Sequence, residues 1–182
     1  MQDTMTDLGL ETKFARLDRD ASGGRDVVGY ASLFDEADQN GDIVAPGAFK
    51  ASLERLRREE RSVKFLWQHD PAQPIGIWDD VSEDDRGLII RGRLLPDVAK
   101  GAEAAALLSC GAIDGLSIGY RTVRAEKAGG GRRLVELDLW EVSLVTFPML
   151  PSARAEVHAP DPEADLARTL SDALSDARRA LA

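Results

Sequence analysis

Apolar positions along the 182-residue chain fall into short alternating runs, interrupted twice by helical spacing. Residues 25–34 read as a strand, with Val27, Val28, Tyr30 and Leu33 among small residues, and a run of turn formers follows at 35–41. Pro46 opens a helix whose apolar residues Phe49, Leu53 and Leu56 recur at i, i+4 and i+7. Glu54, Arg55, Arg57 and Arg58 make its solvated face. Residues 63–69 alternate strictly, placing Val63, Phe65, Trp67 and His69 on one side until Asp70-Pro71 ends the run. Two further runs, 75–78 and 87–95, flank an acidic turn as in a hairpin. Asp97 is placed to cap a helix over 98–110, with Gly111 where helices stop. Residues 116–123 and 133–147 are strands joined through Gly129-Gly130-Gly131, a hairpin tip without the spacing of a phosphate loop. Beyond Pro148 and Pro151, Asp161-Pro162 caps a tail helix with Leu166, Leu170, Leu174 and Leu181 on one apolar stripe.

This pattern predicts a mainly β domain with helices (α+β). It divides into an N-terminal arm over 1–24, a β-rich domain over 25–155, and a hinge with an amphipathic helix over 156–182. Composition narrows the chemistry. With 43% apolar and 30% charged residues the chain suits a globular protein, and no window approaches the ~18 apolar residues of a membrane span. Residues 1–13 lack the basic and apolar regions of a secretory signal. Twenty-three basic against 32 acidic residues leave a net charge of −9, which argues against a nucleic-acid or anionic-membrane binder. One cysteine, Cys110, excludes an internal disulfide, and two histidines leave little for a metal site, so no cofactor or metal is expected.

Three polar residues stand out on the strands. Ser117 points away from Leu116, Ile118 and Tyr120, and its neighbours on that face, Gly115 and Gly119, leave room for a substrate backbone. Its bland alternative is a small serine under a close-packed helix. His69 shares an inward face with three apolar residues, as a core histidine or a general base would. The other histidine, His158, lies in the Pro-rich hinge. Glu141 falls on the face of Val135, Leu137, Leu139, Ser143, Val145 and Phe147 unless a bulge intervenes, and a carboxylate there needs a partner. That partner is a histidine or an arginine. Residues 38–42 imitate the start of a calcium loop, but Ile43 and Phe49 stand where glycine and glutamate are required. They read as a turn. Cys110 reads as buried filler, and Trp67, Trp78 and Trp140 as core anchors.

Five segments occur in a recognisable order: Val28-Gly29-Tyr30, Gly41-Asp42-Ile43-Val44-Ala45-Pro46-Gly47-Ala48-Phe49, Trp67-Gln68-His69-Asp70, Gly115-Leu116-Ser117-Ile118-Gly119-Tyr120, and Trp140-Glu141-Val142-Ser143-Leu144-Val145. Together, over roughly residues 26–155, they resemble the prohead serine protease family of tailed bacteriophages, which also occurs in prophages and gene transfer agents. The resemblance implies a closed, assemblin-like β-barrel surrounded by helices. It also implies a serine nucleophile at Ser117, a general base at His69 and an orienting carboxylate at Glu141, with Asp70, Asp138 and His158 as rivals for the third place. The implied substrates are the scaffolding protein, the N-terminal part of the major capsid protein, and the protease itself, inside the procapsid in the bacterial cytoplasm. The resemblance further suggests self-association as a dimer. The tail is expected to dock on another chain, or to be removed by self-cleavage within 152–160. The alternative is a catalytically inert scaffold or assembly factor built on the same barrel.

Overall fold

A computed structural model describes residues 11–20, 26–147 and 157–158. Its elements run β1 (Glu11–Asp20), β2 (Asp26–Leu33), β3 (Ile43–Val44), α1 (Lys50–Arg58), β4 (Lys64–Trp67), β5 (Asp70–Glu83), β6 (Gly87–Leu94), α2 (Ala99–Ser109), β7 (Gly115–Ala128), β8 (Gly131–Val145) and β9 (Val157–His158). The fold is mainly β with two helices among the described residues. One curled sheet has the order β2-β6-β5-β4-β8-β7-β1-β9, with β3 paired to β8. Strand β4 lies parallel to β8, so segments more than 70 residues apart in the chain share a ladder. Strand β1 was expected to be part of a loose arm. It pairs instead with β7 over Glu11–Arg16 and with β2 over Leu17–Arg19. These partners are remote in sequence, so no local period announces them.

The curl encloses the core. Val27, Ile75, Leu88, Ile90, Leu116, Ile118, Leu139, Val142 and Leu144 are almost wholly removed from water. Phe65 stacks on Trp78 with centroids 3.8 Å apart, and the Trp78 indole N–H donates to the Val142 carbonyl at 3.3 Å. Helix α1 begins at Lys50, four residues beyond the expected opening at Pro46, and buries Leu53 and Leu56 as its spacing predicts, with Ser52 beside them; the Glu83 carboxylate accepts the Phe49 N–H at its start. Helix α2 starts at Ala99 with Val98, not Asp97, in the cap position. The cause is the preceding turn, in which the Val98 N–H donates to the Leu95 carbonyl across Pro96-Asp97.

Other expectations also change. Cys110 is exposed at the end of α2 rather than buried. Trp140 is 44% exposed, with the Arg121 guanidinium 6.0 Å from its ring centroid. Residues 38–42 do form a turn, in which the Asp38 carboxylate accepts the N–H groups of Asn40 and Asp42. Asp42 in turn pairs with Arg132 at 2.6 Å. The tail helix lies outside the described residues. No described helix is long and apolar enough to cross a membrane.

Candidate active site

Two backbone irregularities assemble the site. The first is the turn between β4 and β5. Trp67 pairs with Asp70, so Gln68 and His69 form a two-residue connection, and both have positive φ, +51° and +62°. That is the twist a tight hairpin requires, usually met by Asn-Gly. Here two residues with full side chains occupy it, at a conformational cost that neighbouring contacts must offset. Strand β8 supplies them. The Gln68 N–H donates to the Leu144 carbonyl at 3.0 Å, its amide to Thr146 Oγ1 at 2.6 Å, and the His69 N–H to Ser143 Oγ at 3.1 Å. His69 is therefore a turn residue, not the next position of an alternating strand.

The second irregularity is a bulge in β8. Gly119 pairs with Glu141 and Tyr120 with Leu139, which leaves Trp140 as the extra residue. Directly opposed residues share a sheet face. Leu137 and Leu139 therefore lie on the Tyr120 side, with the core, while Glu141 and Ser143 lie on the face of Gly119 and Ser117. The expected grouping of Glu141 with Leu137 and Leu139 is broken by one inserted residue. The same insertion turns Trp140 outward.

The result is a polar cluster beneath a sheet face. Glu141 is 5% exposed, and its Oε1 lies 2.6 Å from His69 Nδ1. A carboxylate at that distance makes Nδ1 the protonated nitrogen, which leaves Nε2 as the basic one. Glu141 Oε2 accepts the Ser143 hydroxyl at 2.6 Å. Ser143 stands opposite Ser117 in the β7–β8 ladder. Ser117 is fully buried, and its Oγ has no hydrogen-bond partner among the described residues. A buried, unpartnered hydroxyl costs roughly 1–3 kcal/mol, so its retention is a candidate sign of function.

Gly119 has a different use from the one its spacing suggested. A Cβ there would overlap Glu141 Oε1 and lie 2.8 Å from Cγ and Cδ. The missing side chain makes room for the carboxylate rather than for substrate.

Two of the three rivals for the third position have other side-chain partners. Asp138, 8% exposed, pairs with Arg55 and with Arg121 at 3.1 Å. Asp70 accepts the Ala72 N–H at 2.8 Å and the Gln73 amide at 2.6 Å, and these bonds hold its carboxyl below its ordinary value. His158 lies in β9, paired through Asp20 with β1. Ser143 and Gln68 carried no assigned role in the sequence. The cue for Ser143 was a second polar residue two positions after Glu141 in an otherwise apolar strand.

The structure is thus a curled β-sheet protein in which a β8 carboxylate holds a histidine of the β4–β5 turn, with a buried serine on the adjoining strand β7 that is not hydrogen-bonded to the imidazole. Residues 12–166 match the family model of the caudovirus prohead serine protease, and the chain belongs to that family. It is similar to the prohead protease of Enterobacteria phage HK97, with 36% identity over 124 residues, 66% of this chain and 54% of that protein. The capsid polyprotein of Pseudomonas phage PAJU2 is 28% identical over 132 residues, 68% of this chain and 18% of the polyprotein. The chain thus spans about half of the first relative and a fifth of the second. Among solved structures, the bacteriophage T4 capsid assembly protease gp21 superposes with a TM-score of 0.63 at 17% identity, covering 76% of this chain and 98% of that one. That likeness is one of fold.

Proposed function

We propose that this chain is a capsid maturation serine endopeptidase in which Ser117 is the nucleophile, His69 the general base and Glu141 the group that orients it. The observation that carries the reading is the 2.6 Å contact of Glu141 Oε1 with His69 Nδ1, one strand away from a buried hydroxyl that has no partner among the described residues. His69 Nε2 takes the Ser117 proton as Oγ attacks a peptide carbonyl, and the carboxylate stabilises the imidazolium that results. The proton then passes to the leaving amine, and water, activated by the same nitrogen, releases the acyl group.

The same reading takes the scaffolding protein, the N-terminal part of the major capsid protein and the protease itself as substrates, within a procapsid in the bacterial cytoplasm. It takes self-association as a dimer, with neither nucleic acid nor membrane as a partner. It also includes full closure of the sheet into a barrel, supported by the pairing of β1 with both β7 and β2. The test is mass analysis of capsid components co-expressed with this chain or with Ser117→Ala, alongside fluorophosphonate labelling of the purified protein. Processing and labelling are expected with the native chain and neither with the variant. Processing that survives Ser117→Ala would overturn the nucleophile. Intact capsid components and an unlabelled native chain would favour the inert scaffold.

A further inference from the structure

Ser143 is the polar residue of this cluster that the proposed mechanism does not use. Its side chain is fully buried on β8, where an aliphatic residue would satisfy the strand equally well. A hydroxyl in such a place is unfavourable unless its hydrogen-bonding capacity is used. Here it is used twice, once as donor and once as acceptor. The single hydroxyl proton goes to Glu141 Oε2 at 2.6 Å, while the oxygen accepts the backbone N–H of His69 at 3.1 Å. With its proton committed to the carboxylate, Ser143 has none to offer Ser117 opposite it in the ladder.

We infer that Ser143 is a positioning residue that locks the carboxylate and the histidine backbone into one unit. The geometry requires such a lock. Glu141 can turn about its terminal torsion, a soft two-fold rotation, and a donor on Oε2 helps keep Oε1 aimed at Nδ1. His69 sits at φ +62°, a conformation its side chain disfavours, and the bond from its N–H to Ser143 holds the turn against β8. One hydroxyl therefore fixes both ends of the Glu141–His69 contact. Another strand hydroxyl in contact only with backbone would fix neither.

This inference rests on the roles proposed above for Glu141 and His69, so its test needs one readout that does not depend on turnover. That readout is the low-field proton NMR signal of His69 Nδ1–H, assigned by its absence in His69→Gln, with His158→Gln as the control that retains it. In Ser143→Ala the signal is expected to broaden into exchange with solvent, while circular dichroism stays native. Ser143→Thr, which keeps the hydroxyl, is expected to retain it. On a peptide substrate, Ser143→Ala lowers kcat by about 10- to 100-fold with KM little changed, and Ser143→Thr restores most of kcat. A Nδ1–H signal unchanged in Ser143→Ala would overturn the assignment, as would an equal loss of kcat in the alanine and threonine variants. If Ser143→Ala fails to fold, loss of the signal in a natively folded Ser143→Thr overturns it instead. A native chain with the signal but no serine-dependent cleavage would refute the proposed activity and leave the positioning role standing.

Discussion

Gly119→Ala isolates the contribution of the Glu141 carboxylate without touching any of the three side chains proposed for catalysis. A Cβ at this position lies 2.8 Å from Glu141 Cγ and Cδ and overlaps Oε1, whereas ordinary contact begins at 3.4 Å. Moving the two carbons clear takes at least 0.6 Å, and freeing Oε1 takes more than about 1 Å. The contact with His69 Nδ1 then lengthens from 2.6 Å to beyond the hydrogen-bonding range. A displacement of about 1 Å in a positioned group can cost on the order of 10²-fold in rate, or about 2.7 kcal/mol of transition-state stabilisation. The fold loses much less, because the clash is with the end of a flexible side chain and not with backbone. The assay is the rate at which a small fluorophosphonate phosphonylates Ser117, with loss of fluoride, measured for Gly119→Ala in the native and in the Glu141→Ala background. The expected result is a loss of about 10² in the first and less than about twofold in the second, where nothing is left to displace. Native-like phosphonylation in Gly119→Ala, or an equal loss in both backgrounds, would refute the reasoning.

Asp138→Asn separates a structural carboxylate from the one proposed to orient His69: it weakens the pairs with Arg55 and Arg121 and should lower stability by about 1–2 kcal/mol, read as a drop of a few degrees in Tm, while the phosphonylation rate stays native. Gly76→Ala drives a Cβ into the Phe65 ring and the Arg93 carbonyl, so a loss of about 1–3 kcal/mol is expected in chemical denaturation, with Phe65→Leu in the same chain relieving part of it. Acid and alkali act on the Tyr30–Asp84 pair from opposite sides. Burial alone would raise the Asp84 pKa, but the Tyr30 hydroxyl and the N–H groups of Arg86 and Gly87 outweigh it and hold it below its ordinary value, so its stabilisation is present above about pH 4 and is lost as pH falls through the lowered value. Tyr30 is raised by burial and by the Asp84 carboxylate, so its contribution is present below about pH 10 and is lost as pH rises through the raised value. Tyr30→Phe should flatten both limbs of unfolding free energy against pH by less than about 1 kcal/mol, because the pair is exposed; unchanged limbs would refute the assignment.

Much of the sheet was legible because bulky apolar residues alternate along its strands. Leu116, Ile118 and Tyr120 read as inward residues from alternation alone and are at most 1% exposed. The hairpin of β5 and β6 was marked by its acidic turn, in which Asp84 accepts the N–H groups of Arg86 and Gly87. What alternation does not reveal is a partner. The parallel ladder of β4 with β8 and the pairing of β1 with β2 and β7 are long-range choices, settled by packing and not by local preference. Cys110 and Trp140 were assigned to the interior by residue type, and both lie outside it. A residue's hydrophobicity does not say which side of a helix end or a bulge it falls on.

The site was legible as residues and illegible as geometry, for a specific physical reason. Ser117, His69 and Glu141 all drew attention as polar residues on strands otherwise apolar, yet regular alternation leaves Glu141 among the core leucines and His69 along β4. Each reaches the other through a break in the period. The extra residue Trp140 moves Glu141 onto the Ser117 face, and the positive-φ turn at Gln68-His69 folds the imidazole back over β8. Neither break is favourable in isolation, since a bulge forfeits ladder bonds and two non-glycine residues at positive φ are disfavoured. Both are held by the groups they bring together: the Gln68 amide on Thr146, the His69 N–H on Ser143, and the Ser143 hydroxyl on Glu141. A sheet that followed its alternation throughout would be locally more regular and would leave the carboxylate and the imidazole on separate faces. The departures from the expected pattern and the candidate site therefore coincide because one produces the other.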